Sequence, residues 1–135
     1  MAPEAASLPR ILVVDDDQVM VSLLHTLLQL DGFEVAGAHP HESVVDAARA
    51  SQPDLILMDV FLRGSDGLAI LAQLKADPAL AGTPVVMCSG MDVSEQCMRG
   101  GAQAFLIKPY APDHLLDTIR ACLAEPGPPK RNNLE

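Results

Sequence analysis

Four short apolar runs of this 135-residue chain each give way to a group that can do chemistry. Ile11-Leu12-Val13-Val14 runs into Asp15, Asp16 and Asp17, and Leu55-Ile56-Leu57-Met58 ends on Asp59. Pro84-Val85-Val86-Met87-Cys88 ends on Ser89, and the stretch from Gln103 to Ile107 ends on Lys108. A single carboxylate after an apolar run is most often a cap. Acids, a hydroxyl and an ammonium repeated at four run ends are poorly explained that way. If the runs are parallel strands, these groups meet on one rim, outside the carboxyl ends where open sheets bind ligands. Carboxylates gathered without a cation repel one another, and some hold protons. A hard divalent cation with oxygen ligands relieves this, and Mg²⁺ is the usual one beside a phosphoryl group.

The elements that must hold that rim follow from the pattern. The Leu55–Met58 run has no polar face, as expected of a strand covered on both sides. Strands are expected at Arg10–Val14, Phe33–Ala38, Asp54–Met58, Pro84–Cys88 and Gln103–Ile107. Helices are expected at Gln18–Leu30, Glu42–Ala50, Leu68–Ala76, Val93–Arg99 and Pro112–Ala124. Met20, Leu23, Leu24, Leu27 and Leu28 form the apolar stripe of the first helix, with Asp17 as its cap. Val44, Val45 and Ala48 should face inward from the second helix, and Leu115, Leu116, Ile119 and Leu123 from the last. Strands and helices that alternate with short connections predict an α/β fold, a parallel sheet with helices on both faces.

The length suits one domain, residues 10–124. Residues 1–9 are Ala- and Pro-rich and read as disordered, while 125–135 read as a linker or tail that ends in a Leu134-Glu135 cloning remnant. Hydrophobic residues make up 49%, enough for a core, and aromatics only 3%, so that core must be aliphatic. A formal net charge of −9 argues against direct nucleic-acid binding by this domain, which would need Lys and Arg to neutralise phosphates. Cys88, Cys97 and Cys122 form no paired motif, which suits reduced thiols in the cytoplasm. No signal peptide and no membrane-spanning run is visible. His39-Pro40-His41 reads as a solvated turn without zinc spacing.

Asp15-Asp16, Asp59, Ser89 and Lys108-Pro109, in this order at strand ends and with Asp66-Gly67 after the Asp59 loop, carry a resemblance. Over Arg10 to about Leu123 the chain resembles the receiver domain of two-component response regulators. The resemblance implies a flavodoxin-like, doubly wound sheet of strand order 2-1-3-4-5. It implies that Asp59 accepts a phosphoryl group from a histidine kinase or phosphotransfer protein. It further implies that Asp15, Asp16, Asp59 and the Phe61 carbonyl hold Mg²⁺, and that Lys108 and Ser89 contact the phosphoryl oxygens. The family usually has the Lys-Pro bond in cis. Ser89 and Phe105 would form the switch. Output, including pairing with a second copy, would pass through the face of the fourth helix, fifth strand and fifth helix.

Departures from the family pattern are specific. Phe105 stands where the family often has Tyr, and so lacks a hydroxyl for a loop carbonyl. Arg63 takes a place that is often Pro, which predicts a more mobile loop and offers two readings of the guanidinium, within reach of the phosphoryl group or, as is more common for such an Arg, merely solvated. The resemblance also implies that the residues two beyond the acceptor and the hydroxyl, here Phe61 and Met91, flank the approach of hydrolytic water. Other readings compete with this one. Asp15-x-Asp17 after a strand resembles the haloacid-dehalogenase phosphatase motif, with Asp15 as nucleophile and Asp17 as acid–base. That family usually needs a cap domain, and it leaves Asp59 unexplained. A nucleotide or flavin site is disfavoured, since no glycine-rich phosphate loop follows the first strand. A third alternative is a domain that binds partners without phosphorylation.

Overall fold

A computed structural model describes residues 8–38 and 42–124. The expected disorder before Leu8, the His39-Pro40-His41 turn and the 125–135 tail lie outside them. The chain runs β1 (Arg10–Val14), α1 (Gln18–Leu30), β2 (Glu34–Gly37), α2 (Val44–Ser51) and β3 (Leu55–Asp59). It continues with β4 (Phe61–Leu62), β5 (Ser65–Asp66), α3 (Gly67–Ala76), β6 (Val85–Ser89), α4 (Ser94–Arg99), β7 (Ala104–Ile107) and α5 (Pro112–Ala124).

One parallel sheet has the order β2-β1-β3-β6-β7. These are the five expected strands in the expected 2-1-3-4-5 arrangement, because β4 and β5 form a separate antiparallel hairpin inside the Asp59 loop. Alternate residues of the strands feed two cores, as the period of two requires. Ile11, Val13, Leu55 and Leu57 pack with α1 and α5 through Leu24, Leu28, Leu115 and Ile119. Leu12, Val14, Ile56 and Met58 pack with Ala47, Ala48, Leu71, Leu74 and Cys97 of α2, α3 and α4. The central strand thus has no wet face, which accounts for its unbroken apolar run.

Two inward positions differ from expectation. Leu23 is 61% exposed, while Met20, Leu24, Leu27 and Leu28 pack inward. At about 100° per residue Leu23 falls beside the stripe these four make, not within it. In α2 the fully buried pair is Ala47 and Ala48, with Val44 and Val45 half-buried at the edge of the second core. Ser43 caps this helix by accepting the Asp46 N–H at 3.0 Å, so the helix starts two residues later than Glu42. The three cysteines are free and buried. Among the described residues no helix is long and apolar enough to cross a membrane.

Candidate functional site

The sheet register sets the site. Val14 pairs with Met58, Asp59 with Cys88, and Ser89 with Ile107. Parallel strands in this register deliver Asp15, Asp59, Ser89 and Lys108 to one edge, from positions far apart in the chain. The Lys108 ammonium stands between two carboxylates, 3.3 Å from Asp15 Oδ2 and 3.3 Å from Asp59 Oδ2. Both acids are largely withdrawn from solvent, with side chains 6% and 14% exposed. The Lys108-Pro109 peptide bond is cis.

Burial raises the Asp59 carboxyl above its ordinary value, and the charge of Lys108 only partly offsets it, with Asp15 pushing the same way as burial. Burial by itself would lower Lys108. The ionised form of Cys88 and the carboxylates of Asp15 and Asp59 reverse this and hold the ammonium above its usual range. At neutral pH the Cys88 contribution is idle, because burial pushes that thiol up to about 12. The two aspartates are the cause that operates.

Backbone contacts fix the loop that follows Asp59. The Val60 N–H donates to the Cys88 carbonyl at 2.9 Å, and the Gly67 N–H to the Val60 carbonyl at 2.8 Å. A Cβ at Gly67 would come within 2.6 Å of the carbonyl oxygens of Asp59 and Val60, so only glycine allows α3 to start so close to the end of β3. Asp66 caps α3 through the Leu68 N–H at 3.0 Å. Gly64, with φ of +73°, closes the hairpin.

Asp16 is placed differently from Asp15. Its carboxylate accepts the backbone N–H of Arg63 and faces an open cleft of about 570 Å³, lined by Asp15, Asp16, Asp17, Gln18, Phe61, Leu62 and Arg63. Asp17 caps α1, accepting the N–H groups of Val19 at 3.0 Å and Met20 at 3.3 Å. A carboxylate committed in this way is a poor acid–base, which counts against the phosphatase reading of Asp15 and Asp17. Among the described residues no three His, Cys, Asp or Glu side chains form a metal cage unaided. Mg²⁺ rarely asks for one, since it is commonly held by one or two carboxylates, with waters and phosphate oxygens completing the shell. The hard oxygens of Asp15 and Asp16 beside an open cleft fit that requirement.

Ser89 is 1% exposed, and its Oγ accepts the Met91 N–H at 3.0 Å. Among the described residues no hydrogen bond joins it to Asp59. It is also not the cap of α4, whose N-cap position is Val93, without a side-chain cap hydrogen bond. Phe105 is half-buried against the second core. Tyr110, two residues beyond Lys108, was missed by sequence reasoning. Its hydroxyl is buried without a hydrogen-bond partner among the described residues, and burial pushes it up to about 12.

An α/β sheet with acids and a lysine gathered at the carboxyl ends of its strands defines a switch-like phosphoacceptor class of protein. The response regulator receiver domain model matches residues 11–120, and the chain belongs to that family. Its role is the regulatory phosphoacceptor part of a two-component system. It is 34% identical over 117 residues to the DNA-binding response regulator MtrA of Mycolicibacterium paratuberculosis, covering 84% of this chain and 51% of that protein. It is 32% identical over 122 residues to the phosphate regulon transcriptional regulatory protein PhoB of Escherichia coli, covering 88% of this chain and 53% of that protein. The chain thus spans about half the length of these curated relatives.

Among solved structures, a response regulator of Chloroflexus aurantiacus superposes with a TM-score of 0.81 at 27% identity, covering 88% of this chain and 100% of that one. The receiver domain of a Pseudomonas aeruginosa sensor histidine kinase, PA1611, superposes with a TM-score of 0.79 at 22% identity, covering 88% and 100%. That protein has a magnesium ion coordinated in its active site cleft. At this identity the likeness speaks for the fold.

Proposed function

We propose that Asp59 is the phosphoryl acceptor and that a histidine kinase or phosphotransfer protein supplies the group. The observation that carries this is Lys108 Nζ held 3.3 Å from both Asp59 and Asp15. A buried carboxylate with raised proton affinity and a cation beside it has both nucleophilicity and a place for negative charge to go. An Asp59 oxygen forms the new P–O bond as the P–N bond of the donor phosphohistidine breaks. The departing nitrogen keeps that electron pair and is protonated from solvent. Lys108 neutralises charge on the transferring oxygens, and Ser89 exchanges its Met91 contact for a phosphoryl oxygen. Asp15, Asp16, Asp59 and the Phe61 carbonyl would hold Mg²⁺, which supplies charge neutralisation when bound.

The domain turns over no metabolite. It works in the cytoplasm as a signalling module, and its output leaves through α4, β7 and α5, the face on which a second copy would also dock. Movement of Ser89 toward the phosphoryl group draws the Gly90–Val93 loop with it and lets Phe105 turn further inward.

Intact mass after incubation with acetyl phosphate and Mg²⁺ tests the acceptor. Wild type should gain one phosphoryl group and Asp59→Asn none. A phosphorylated Asp59→Asn protein, or modification at Asp15, overturns the assignment. Hydrogen exchange tests the output. Phosphorylation should change exchange between Gly90 and Leu123, and a change confined to Asp15–Gln18 and Phe61–Gly67 refutes the switch.

A further inference from the structure

The cleft beside Asp59 contains one charge with nothing to balance it. Arg10, Arg49, Arg99 and Arg120 pair with Glu34, Asp77, Glu95 and Asp31. The Arg63 guanidinium has no hydrogen bond or ion pair among the described residues, although Asp15, Asp16 and Asp17 line the same cleft. The acids are already engaged. Asp15 takes Lys108 and the Asp17 N–H, Asp17 takes the first amides of α1, and Asp16 takes the backbone N–H of Arg63 itself. The main chain of Arg63 therefore satisfies the nearest acid while its side chain stays uncommitted.

The tip geometry favours this division. Arg63 and Gly64 are the two loop residues between β4 and β5, since Leu62 pairs with Ser65. The Arg63 N–H is tied to Asp16, which anchors the tip on the cleft wall. A proline at position 63 would have no N–H to offer Asp16 and no cation to offer the cleft. In a chain of net charge −9, that guanidinium is the cation among the residues that line this cleft. Arginine's planar fork suits the oxygens of a phosphoryl group.

We infer that Arg63 captures the phosphoryl group of the incoming donor at the mouth of the cleft, before transfer to Asp59. This deepens the phosphoacceptor reading and rests on it. Lys108 faces the acceptor and Arg63 faces the approach, so the two cations serve successive positions of one anion. In this role Arg63 governs donor capture and not the chemical step.

The test uses phosphoramidate as donor with Mg²⁺ saturating, and follows the phosphorylated mass of wild type, Arg63→Ala and Arg63→Lys. Arg63→Ala should need about tenfold more phosphoramidate for half the maximal rate, the worth of one charge-assisted hydrogen bond. Its maximal rate should stay unchanged, and Arg63→Lys should recover part of the loss. A second readout needs no turnover. In Asp59→Asn, titration with phosphoramidate should shift the Arg63 Nε–H resonance and leave that of the Glu95-paired Arg99 in place. Unchanged half-saturation in Arg63→Ala, or a fall in maximal rate alone, overturns the inference while leaving Asp59 as acceptor. A wild type that gains no phosphoryl group overturns the acceptor reading itself, and this inference with it.

Discussion

Two carboxylate–cation pairs in this molecule obey opposite rules. Asp77, after α3, meets Arg49 of α2 with contacts of 2.6 and 2.8 Å, and its other oxygen accepts the Ala79 N–H at 2.9 Å. Although Asp77 is only 8% exposed, the Ala79 hydrogen bond and then Arg49 outweigh burial and lower its proton affinity. Asp59 meets a cation too, but one that is shared with Asp15 and stands at 3.3 Å from each. There burial prevails and raises the proton affinity. One pair is a finished structural contact. The other is short of partners, and the proposed phosphoryl group or divalent cation would complete it. Function here resides where the electrostatics are left unsatisfied.

The largest effect expected from this contrast is on the structural side. Asp77→Ala removes the acceptor of the Ala79 N–H and strands Arg49, and should lower the stability of the fold. Urea unfolding at neutral pH checks it. A loss as small as that of an exposed substitution would mean that the Arg49 contact is incidental.

Asp59→Asn should act in the other direction. A carboxyl whose folded proton affinity exceeds its unfolded one binds more protons in the native state, so stability falls as pH rises from the ordinary carboxyl value of 3.8 through the folded value. The penalty persists at neutral pH, and neutral Asn escapes it. Asp59→Asn should therefore melt above wild type at pH 7, and the two curves should converge once the pH drops below the ordinary carboxylate range. A variant that melts below wild type at pH 7 would place Asp59 with Asp77 among the structural acids.

The contrast was only half legible in the sequence. Runs such as Leu55–Met58 betray a buried strand, and the register of a parallel sheet then forces Asp15, Asp59, Ser89 and Lys108 to a common edge. The β4–β5 hairpin was not legible. Each of its strands is two residues long, too short for any period, and the only cue was Gly64 after Arg63. Nor could sequence show that the Arg63 amide holds Asp16, since a backbone donor leaves no mark on residue type. Leu23 misled because a five-residue apolar set is wider than the stripe the sheet covers. The engagement of Ser89 with the Met91 N–H depends on a rotamer, which composition does not encode.

The smallest expected effect concerns the lifetime of the completed site. Hydrolysis of an aspartyl phosphate needs a water in line with the bond to Asp59. By resemblance to the family, the residues that flank this approach are Phe61 and Met91. Both are exposed, at 57% and 62%, and so stand at the surface where water would arrive. Neither side chain offers the hydrogen bond that would hold a water in line, and both are bulky enough to shield phosphorus. Positioning a reactant is among the larger sources of rate, so a site without it should turn over slowly. The phosphorylated protein should accordingly outlive its Phe61→Asn and Phe61→Asn/Met91→Glu variants by about fivefold, the worth of one ordinary hydrogen bond. Decay of the phosphorylated mass at constant Mg²⁺ measures it. If both variants decay no faster than wild type, shielding is not what sets the lifetime, and control passes to the Arg63-Gly64 turn, where Arg63→Ala becomes the variant whose decay must change.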